Sequence, residues 1–268
     1  MNNWGLQRFS KNQDLTMEVF WPELLDSISN LTVQNYEDIK SFLRARNINK
    51  IFHFTYFNNL INIAQENQGL KPKSELTRTE SNFIATDSTE VSYFRNFIHC
   101  SLSKPNIYML RSKIGEKSRI ALLEIAIEEV FRNPFIVFPT NSGKFGYEEL
   151  YANNWKKTIS IEGLVRAYSN NEIRNRFSLS DENTTCPQAE LLFLNNISWK
   201  SVRKVSLVAH GNNRYIDPKW SDDFFRFFGH DDLEGKFGFV NVAEIETQVN
   251  WEYYNAIKTI GMEQWLGD

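Results

Sequence analysis

The chain has 268 residues, enough for one substantial core, and its 41% apolar and 14% aromatic side chains would be costly to leave in water, which excludes an unfolded chain. No stretch approaches the roughly 18 consecutive apolar residues of a membrane span and Met1 to Arg8 lacks the apolar core of a signal peptide, so a cytoplasmic protein with no membrane partner is expected. A net charge of −3 gives no overall attraction to nucleic acid, and Cys100 and Cys186, without Cys-x-x-Cys or His-x-x-x-His spacing, argue against a disulfide scaffold and against a metal site.

The first 50 residues read as helical. Leu24, Leu25 and Ile28 precede a segment from Tyr36 to Asn47 in which Ile39, Phe42 and Leu43 fall at helical spacing. From Ile51 to Thr55 the pattern is a strand, with Phe52 and Phe54 alternating against His53 and Thr55. A helix over 58–67 follows, and Gly69 suits its left-handed stop. The polar connection from Lys71 to Asp87 has no clear periodicity, and connections of that length often carry function.

Strand-like bursts then run over 97–102, 120–127 and 134–139, the last leading into Thr140-Asn-Ser-Gly143. Between Gly143 and Pro187 lies a mixed segment with a helical candidate from Glu162 to Tyr168. From Ser101 to Arg176 there are 12 Lys or Arg against 8 Asp or Glu, an excess of 12 − 8 = 4, which allows a modest basic face but equally an ordinary solvated surface. Val202 to Ala209 is another strand. The aromatic and acidic tail from His210 closes in a helix over 251–260, and no Pro/Gly/Ser-rich linker sets it apart. The expected organisation is an N-terminal helical extension (1–49), a central domain (50–209) and a C-terminal extension (210–268) packed on the same core.

Within this pattern the stretch Thr184 to Leu194 stands out. A loop of small and polar residues, expected to be mobile, feeds Gln188-x-Glu190 into a run of large apolar side chains, so that one carboxylate sits at a loop-to-strand junction. The competing explanation is a strand-edge Glu pointing into water, since Glu is seldom buried without a reason. Other polar groups also sit at strand ends: His53 and Thr55, Ser101 with Asn106, Asn141, and Gln188. Strand ends of one sheet can converge on a cleft. No Gly-x-Gly-x-x-Gly, Gly-x-x-x-x-Gly-Lys or Gly-x-Ser-x-Gly occurs, so Rossmann, P-loop and nucleophile-elbow chemistry lack support. What remains is a single acid with polar helpers.

The order His53-x-Thr55, an Asn-Leu-x-x-Ile helix ending in Gly69-Leu70, then Ser-Leu-Ser-x-Pro-Asn106-x-x-Met, a Thr-Asn141 strand end and finally Pro-Gln188-Ala-Glu190-Leu-Leu resembles the DarT family of bacterial DNA ADP-ribosyltransferase toxins. The resemblance covers roughly 50–208 and is closer to the guanine-modifying branch. It implies an α+β fold in which central β-sheets form a NAD cleft flanked by helices, with helical N- and C-terminal extensions. It also implies NAD as co-substrate, single-stranded DNA as acceptor, and an antitoxin protein as partner. Glu190 would bind the ribose hydroxyls and stabilise developing positive charge. His53 and Thr55 would hold the nicotinamide ribose and amide, with Phe54 between them. Gly69 and Leu70 would meet the adenosine half, and Asn106 and Asn141 complete the cofactor-binding set. Gln188, expected to lie on the same side of a strand as Glu190, with Lys156 and Arg166 in the loop that presents substrate, would contact the acceptor. The family places an Arg before the Ser-Leu-Ser strand; Arg78 and Arg95 are the candidates, and Arg95 is assigned as catalytic partner. RNA or protein acceptors, and an inactive binding module that keeps the cleft, remain as alternatives.

Overall fold

The computed structural model describes residues 26–30, 35–64, 69–79, 83–84, 92–102, 104–107, 109–110, 120–142, 158–209, 237–241, 252–253 and 255. Its β-rich stretches form β1 (Lys50–Tyr56), β2 (Ile98–Ser101), β3 (Ile120–Ala126), β4 (Phe135–Phe138), β5 (Glu190–Phe193), β6 (Val202–Ala209) and β7 (Phe237–Asn241). They join one seven-stranded sheet in the order β4-β5-β2-β1-β3-β6-β7, antiparallel except for the parallel pair β6 and β7. With helices gathered beside it, this is an α+β fold.

The sheet is two ladders joined at one point. Residues from Lys50 to Tyr56 of β1 pair continuously with β3, and all of β2 pairs with β5, but β1 meets β2 only at Phe52↔Ser101. Register then aligns Phe138, Glu190, Ser101, Phe52 and Glu124 in one row across neighbouring strands, so their side chains share a face.

The opposite face carries the main core. Val137, Leu191, Cys100, Leu123 and Val205 alternate with that row and bury against helices α1 (Tyr36–Ala45), α2 (Phe57–Ala64), α4 (Glu128–Arg132) and α5 (Ser160–Ala167), through Ile39, Leu43, Leu60, Val130 and Leu164. Each such side chain contributes about 1.5–3 kcal/mol on burial. Gly163 shows how close α5 lies: a Cβ there would come within 2.9 Å of the Val137 Cβ. A smaller cluster of Phe52, Ile107, Leu110, Ile120, Leu122 and Val208 packs on the face that carries Glu190.

Some expectations shift. The stretch 71–87 contains helix α3 (Lys73–Arg78), and α6 (Asn171–Arg176) lies in the Asn- and Ser-rich segment, its Asn170 side chain accepting from the Ile173 N–H at 3.1 Å. Six residues are too few turns to show a period. The tail is not wholly helical, because it supplies β7; of the expected helix over 251–260 only 252, 253 and 255 are described, and they are helical. Leu24 and Leu25 lie outside the described residues. Among the described residues no helix is long and apolar enough to cross a membrane.

Gly69 ends the segment after α2 with φ of +70°, its N–H donating to the Ile63 carbonyl. Leu70 and Ile197 then exchange two backbone hydrogen bonds, at 2.8 and 3.0 Å, and a Cβ on Gly69 would lie 2.1 Å from the Ile197 carbonyl oxygen. Gly69→Ala should therefore lower stability by about 2–4 kcal/mol, combining left-handed strain with overpacking. Chemical denaturation reads this as a lower midpoint; an unchanged midpoint would remove the steric argument.

Candidate functional site

β5 begins at Glu190, where the turn at 187–188 passes into the sheet, and the carboxylate is 5% exposed. A charge so placed needs partners. Ser142, just past the end of β4, supplies two: its N–H donates to Glu190 Oε2 at 3.0 Å and its hydroxyl at 2.6 Å. His99 Nδ1 stands 3.7 Å from the same oxygen. Oε1 carries no hydrogen bond among the described residues, so the group is anchored through Oε2 alone.

Ser101, directly across from Glu190, accepts a hydrogen bond from the Asn106 N–H at 3.1 Å. Asn106 Oδ1 in turn accepts from the Met109 N–H at 3.3 Å, which fixes the turn after Pro105. Asn106 Nδ2 is buried and has no partner among the described residues. A buried donor left unmade costs about 1–3 kcal/mol, so it is a position where a ligand acceptor is worth most. Asn141 reaches the same cluster, with Nδ2 3.4 Å from Met109 Sδ.

His53 stands at the seam between the two ladders. Its Nδ1–H donates to the His99 carbonyl oxygen at 2.7 Å, which leaves Nε2 as an acceptor. Burial, opposed by the His99 hydrogen bond and assisted by the charge of the His99 ring, pushes its pKa down to about 4. It is neutral at pH 7. Cys100, on the face away from Glu190, has its thiol held well above the ordinary range, first by burial and then by the Glu190 charge. It is not a nucleophile.

The remaining expected residues divide. Phe54 is half-buried against the Phe52 and Leu122 cluster on the Glu190 face. Thr55 alternates to the other face, where its buried hydroxyl accepts from Asn59 Nδ2 of α2 at 3.0 Å. Asn59 also brackets Ile84, accepting from its N–H at 2.8 Å and donating to its carbonyl at 2.7 Å. Gly69 and Leu70 are tied to Ile197, and that packing accounts for the glycine without any ligand.

Gln188 lies in a turn and is not part of a strand, so alternation does not relate it to Glu190. Arg166 is half-buried on α5, across the sheet from Glu190, and burial lowers its pKa. Arg95 is exposed on a 3-10 helix, Ser92–Asn96, and Arg78 is exposed at the end of α3; neither forms an ion pair among the described residues. Lys156 lies outside the described residues. The structure thus brings together Glu190, Asn106 and Asn141, reaches His53 through His99, and puts Arg166 on the helix-covered side of the sheet.

Two participants were not singled out in the sequence. Ser142 appears there only as the start of a loop, and His99 as one polar letter inside an apolar strand. The sole signal for His99 was its i, i+2 relation to Ser101, which puts both on one face.

The loop before Glu190 is held firmly. Thr184, Thr185 and Cys186 are buried; the Thr185 N–H donates to the Ala167 carbonyl at 2.8 Å and its hydroxyl to the Ser169 carbonyl. Arg174 donates to the carbonyls of Asn183 at 2.7 Å and Ser180 at 3.0 Å. The expectation of a mobile approach to Glu190 is corrected over 180–186 by these bonds. Among the described residues no group of three or more His, Cys, Asp or Glu could hold a metal ion.

No protein-family model and no curated protein matches this chain. Solved structures similar to it include two DarT-type proteins. Thermosipho africanus DarTG in complex with ADP-ribose has 11% identity and a TM-score of 0.40, over 72% of this chain and 50% of that one. Thermus sp. 2.9 DarT in complex with ADP-ribosylated ssDNA has 14% identity and a TM-score of 0.34, over 68% of this chain and 88% of that one. The match therefore spans half the length of the Thermosipho protein.

His53 has a consequence for stability. Its pKa in the folded state, about 4, is below the ordinary 6.5, so it stabilises the fold above pH 6.5 and that contribution is lost as pH falls toward 4. Thermal melts between pH 7 and 4.5 should show a steeper loss for the native chain than for His53→Asn, by about 2–3 kcal/mol at most. Parallel pH curves for the two chains would rule out a neutral His53 at the seam.

Proposed function

We propose that the chain is a NAD-dependent mono-ADP-ribosyltransferase that attaches ADP-ribose to a base of single-stranded DNA, releasing nicotinamide, and that it acts as a toxin restrained by an antitoxin protein. The observation that carries the reading is Glu190: a buried carboxylate fixed through one oxygen by Ser142, with the other open, one strand away from the seam of a parted sheet. The motif order from His53-x-Thr55 to Gln188-x-Glu190 supplies the family, and with it the DNA acceptor and the antitoxin.

The residues fit such a co-substrate. NAD supplies an N-glycosidic bond whose rupture leaves positive charge on a ribose that bears two hydroxyls. Glu190 Oε1 is an acceptor for those hydroxyls and a counter-charge for the sugar. Its fixed position means that no solvent reorganisation is needed when that charge appears. Asn106 Nδ2 is an unused donor near that carboxylate, while His53, which alternates to the other face of β1, is linked to this group only through the His99 carbonyl. On the acceptor side, the carboxylate can take the proton of a base nitrogen once its link to the ribose is spent. Lys156, Arg166 and Gln188 are kept as proposed contacts to the nucleic acid, with Arg95 as the proposed cationic partner.

A second reading, an inactive module that binds NAD, is favoured by one observation: Arg95 is exposed and forms no ion pair among the described residues. Incubation with NAD and mixed single-stranded DNA and RNA oligonucleotides separates the readings. DNA heavier by one ADP-ribose, with nicotinamide release reduced on the order of 10²–10³-fold in Glu190→Gln, is the expected result. NAD binding without nicotinamide release would support the inactive module, and label found only on RNA or on protein would move the acceptor.

A further inference from the structure

His99 contacts both halves of the site. Its carbonyl oxygen holds the His53 Nδ1–H, at 2.7 Å, and its ring approaches Glu190. The ring lies between two groups that can only accept: Nε2 is 3.2 Å from the Phe94 carbonyl oxygen, and Nδ1 is 3.7 Å from Glu190 Oε2. The first contact requires a proton on Nε2. A neutral ring with that proton would turn the Nδ1 lone pair toward a carboxylate, whereas an imidazolium donates from both nitrogens.

The setting keeps the ring in place. Phe94 is 2% exposed and meets His99 edge-on at 6.3 Å and Phe138 at 5.4 Å, so the wall behind the imidazole is rigid. Among the described residues, the titratable groups on the elements around the ring are Glu190 from β5, His53 from β1, Arg95 from the 3-10 helix and Cys100 from β2 itself. Arg95 is exposed and the Cys100 thiol is uncharged at neutral pH. His53 is kept neutral, chiefly by burial. Glu190 is the one anion of the group.

We infer that His99 is a positioning residue that acts as an imidazolium, pairing with Glu190 Oε2 on the side that Ser142 leaves open and so directing Oε1 into the cleft. This rests on the reading of Glu190 as the catalytic carboxylate, and it adds a charged partner for that carboxylate. The pair is a diagonal one on a single sheet face: Ser101 lies opposite Glu190, and His99 is two residues along. A consequence is a pH limit on turnover. Loss of the Nδ1 proton removes the attraction and leaves a lone pair facing the carboxylate, so activity falls on the alkaline side of neutrality.

Two measurements test this separately from the function. In 15N NMR of the full chain at pH 7, both ring nitrogens of His99 should be protonated, and Glu190→Gln should release the Nδ1 proton; a His99 ring that is neutral at pH 7, or indifferent to Glu190→Gln, overturns the pairing. In nicotinamide-release assays His99→Gln should lower kcat about 10- to 100-fold, with KM for NAD changed by less than about threefold, and should flatten the alkaline fall. Native kcat and pH profile in His99→Gln would overturn the positioning role. If the NMR result is as expected but the native chain releases no nicotinamide, the ion pair stands, while the proposed function and the positioning role both fail. Should His99→Gln not fold, the NMR comparison of the native chain with Glu190→Gln still decides the pairing.

Discussion

The single pairing of Phe52 with Ser101 governs this structure. On either side of it the sheet is an ordinary ladder whose backbone groups satisfy one another, but at this line β1 and β2 part after one contact. Backbone and side-chain polar groups there must find other partners. His53 takes the His99 carbonyl, and Glu190, one strand further on, takes Ser142. With α1, α2, α4 and α5 covering one face, the polar side chains that remain open to a ligand gather on the other face or at the seam itself. The parted sheet thus decides where chemistry can happen, and strand alternation decides which residues reach it.

Much of this was legible from pattern alone. Val202–Ala209 is a strand with the bounds that alternation gives, and the apolar bursts around 120–127 and 134–139 become β3 and β4 with ends moved by a residue. Glu190 was legible because a carboxylate leading straight into four large apolar residues, Leu191 to Leu194, is unusual enough to need a reason. The rest was hidden for physical causes. Ser142 and His99 meet Glu190 from sequence separations of 48 and 91 residues, and nothing local announces a tertiary hydrogen bond. Gln188 was misplaced because a two-residue spacing implies a shared face only inside a strand, and β5 starts two residues later. Gly69 has a reason a sequence cannot show: the carbonyl that fills its Cβ position belongs to Ile197.

The two histidines show how neighbours divide one residue type between two tasks. His53, held neutral by burial and fixed as the Nδ1–H tautomer by a carbonyl, presents an acceptor. The His99 ring lies between two acceptors and is suited to being a donor at both nitrogens. A backbone carbonyl fixes one nitrogen of each ring, that of His99 for His53 and that of Phe94 for His99, and the Glu190 carboxylate beside the second nitrogen of His99 is what sets the two rings apart.

The order in which these parts emerge from the ribosome matters too. The Leu70↔Ile197 bridge and the β2–β5 ladder tie the first third of the domain to residues near its end, and Glu190 is the last of the cluster to be made. A growing chain can bury α1 and α2 against β1 and β3, but β2 and Leu70 cannot find their partners until β5 and Ile197 have left the exit tunnel. Synthesis at about 5–20 residues per second puts an interval of several seconds between the first strand and a complete site. A chain that stops short of β5 would lack Glu190 and leave the Ser142 donors and the edge of β2 without the partners they have in the whole sheet.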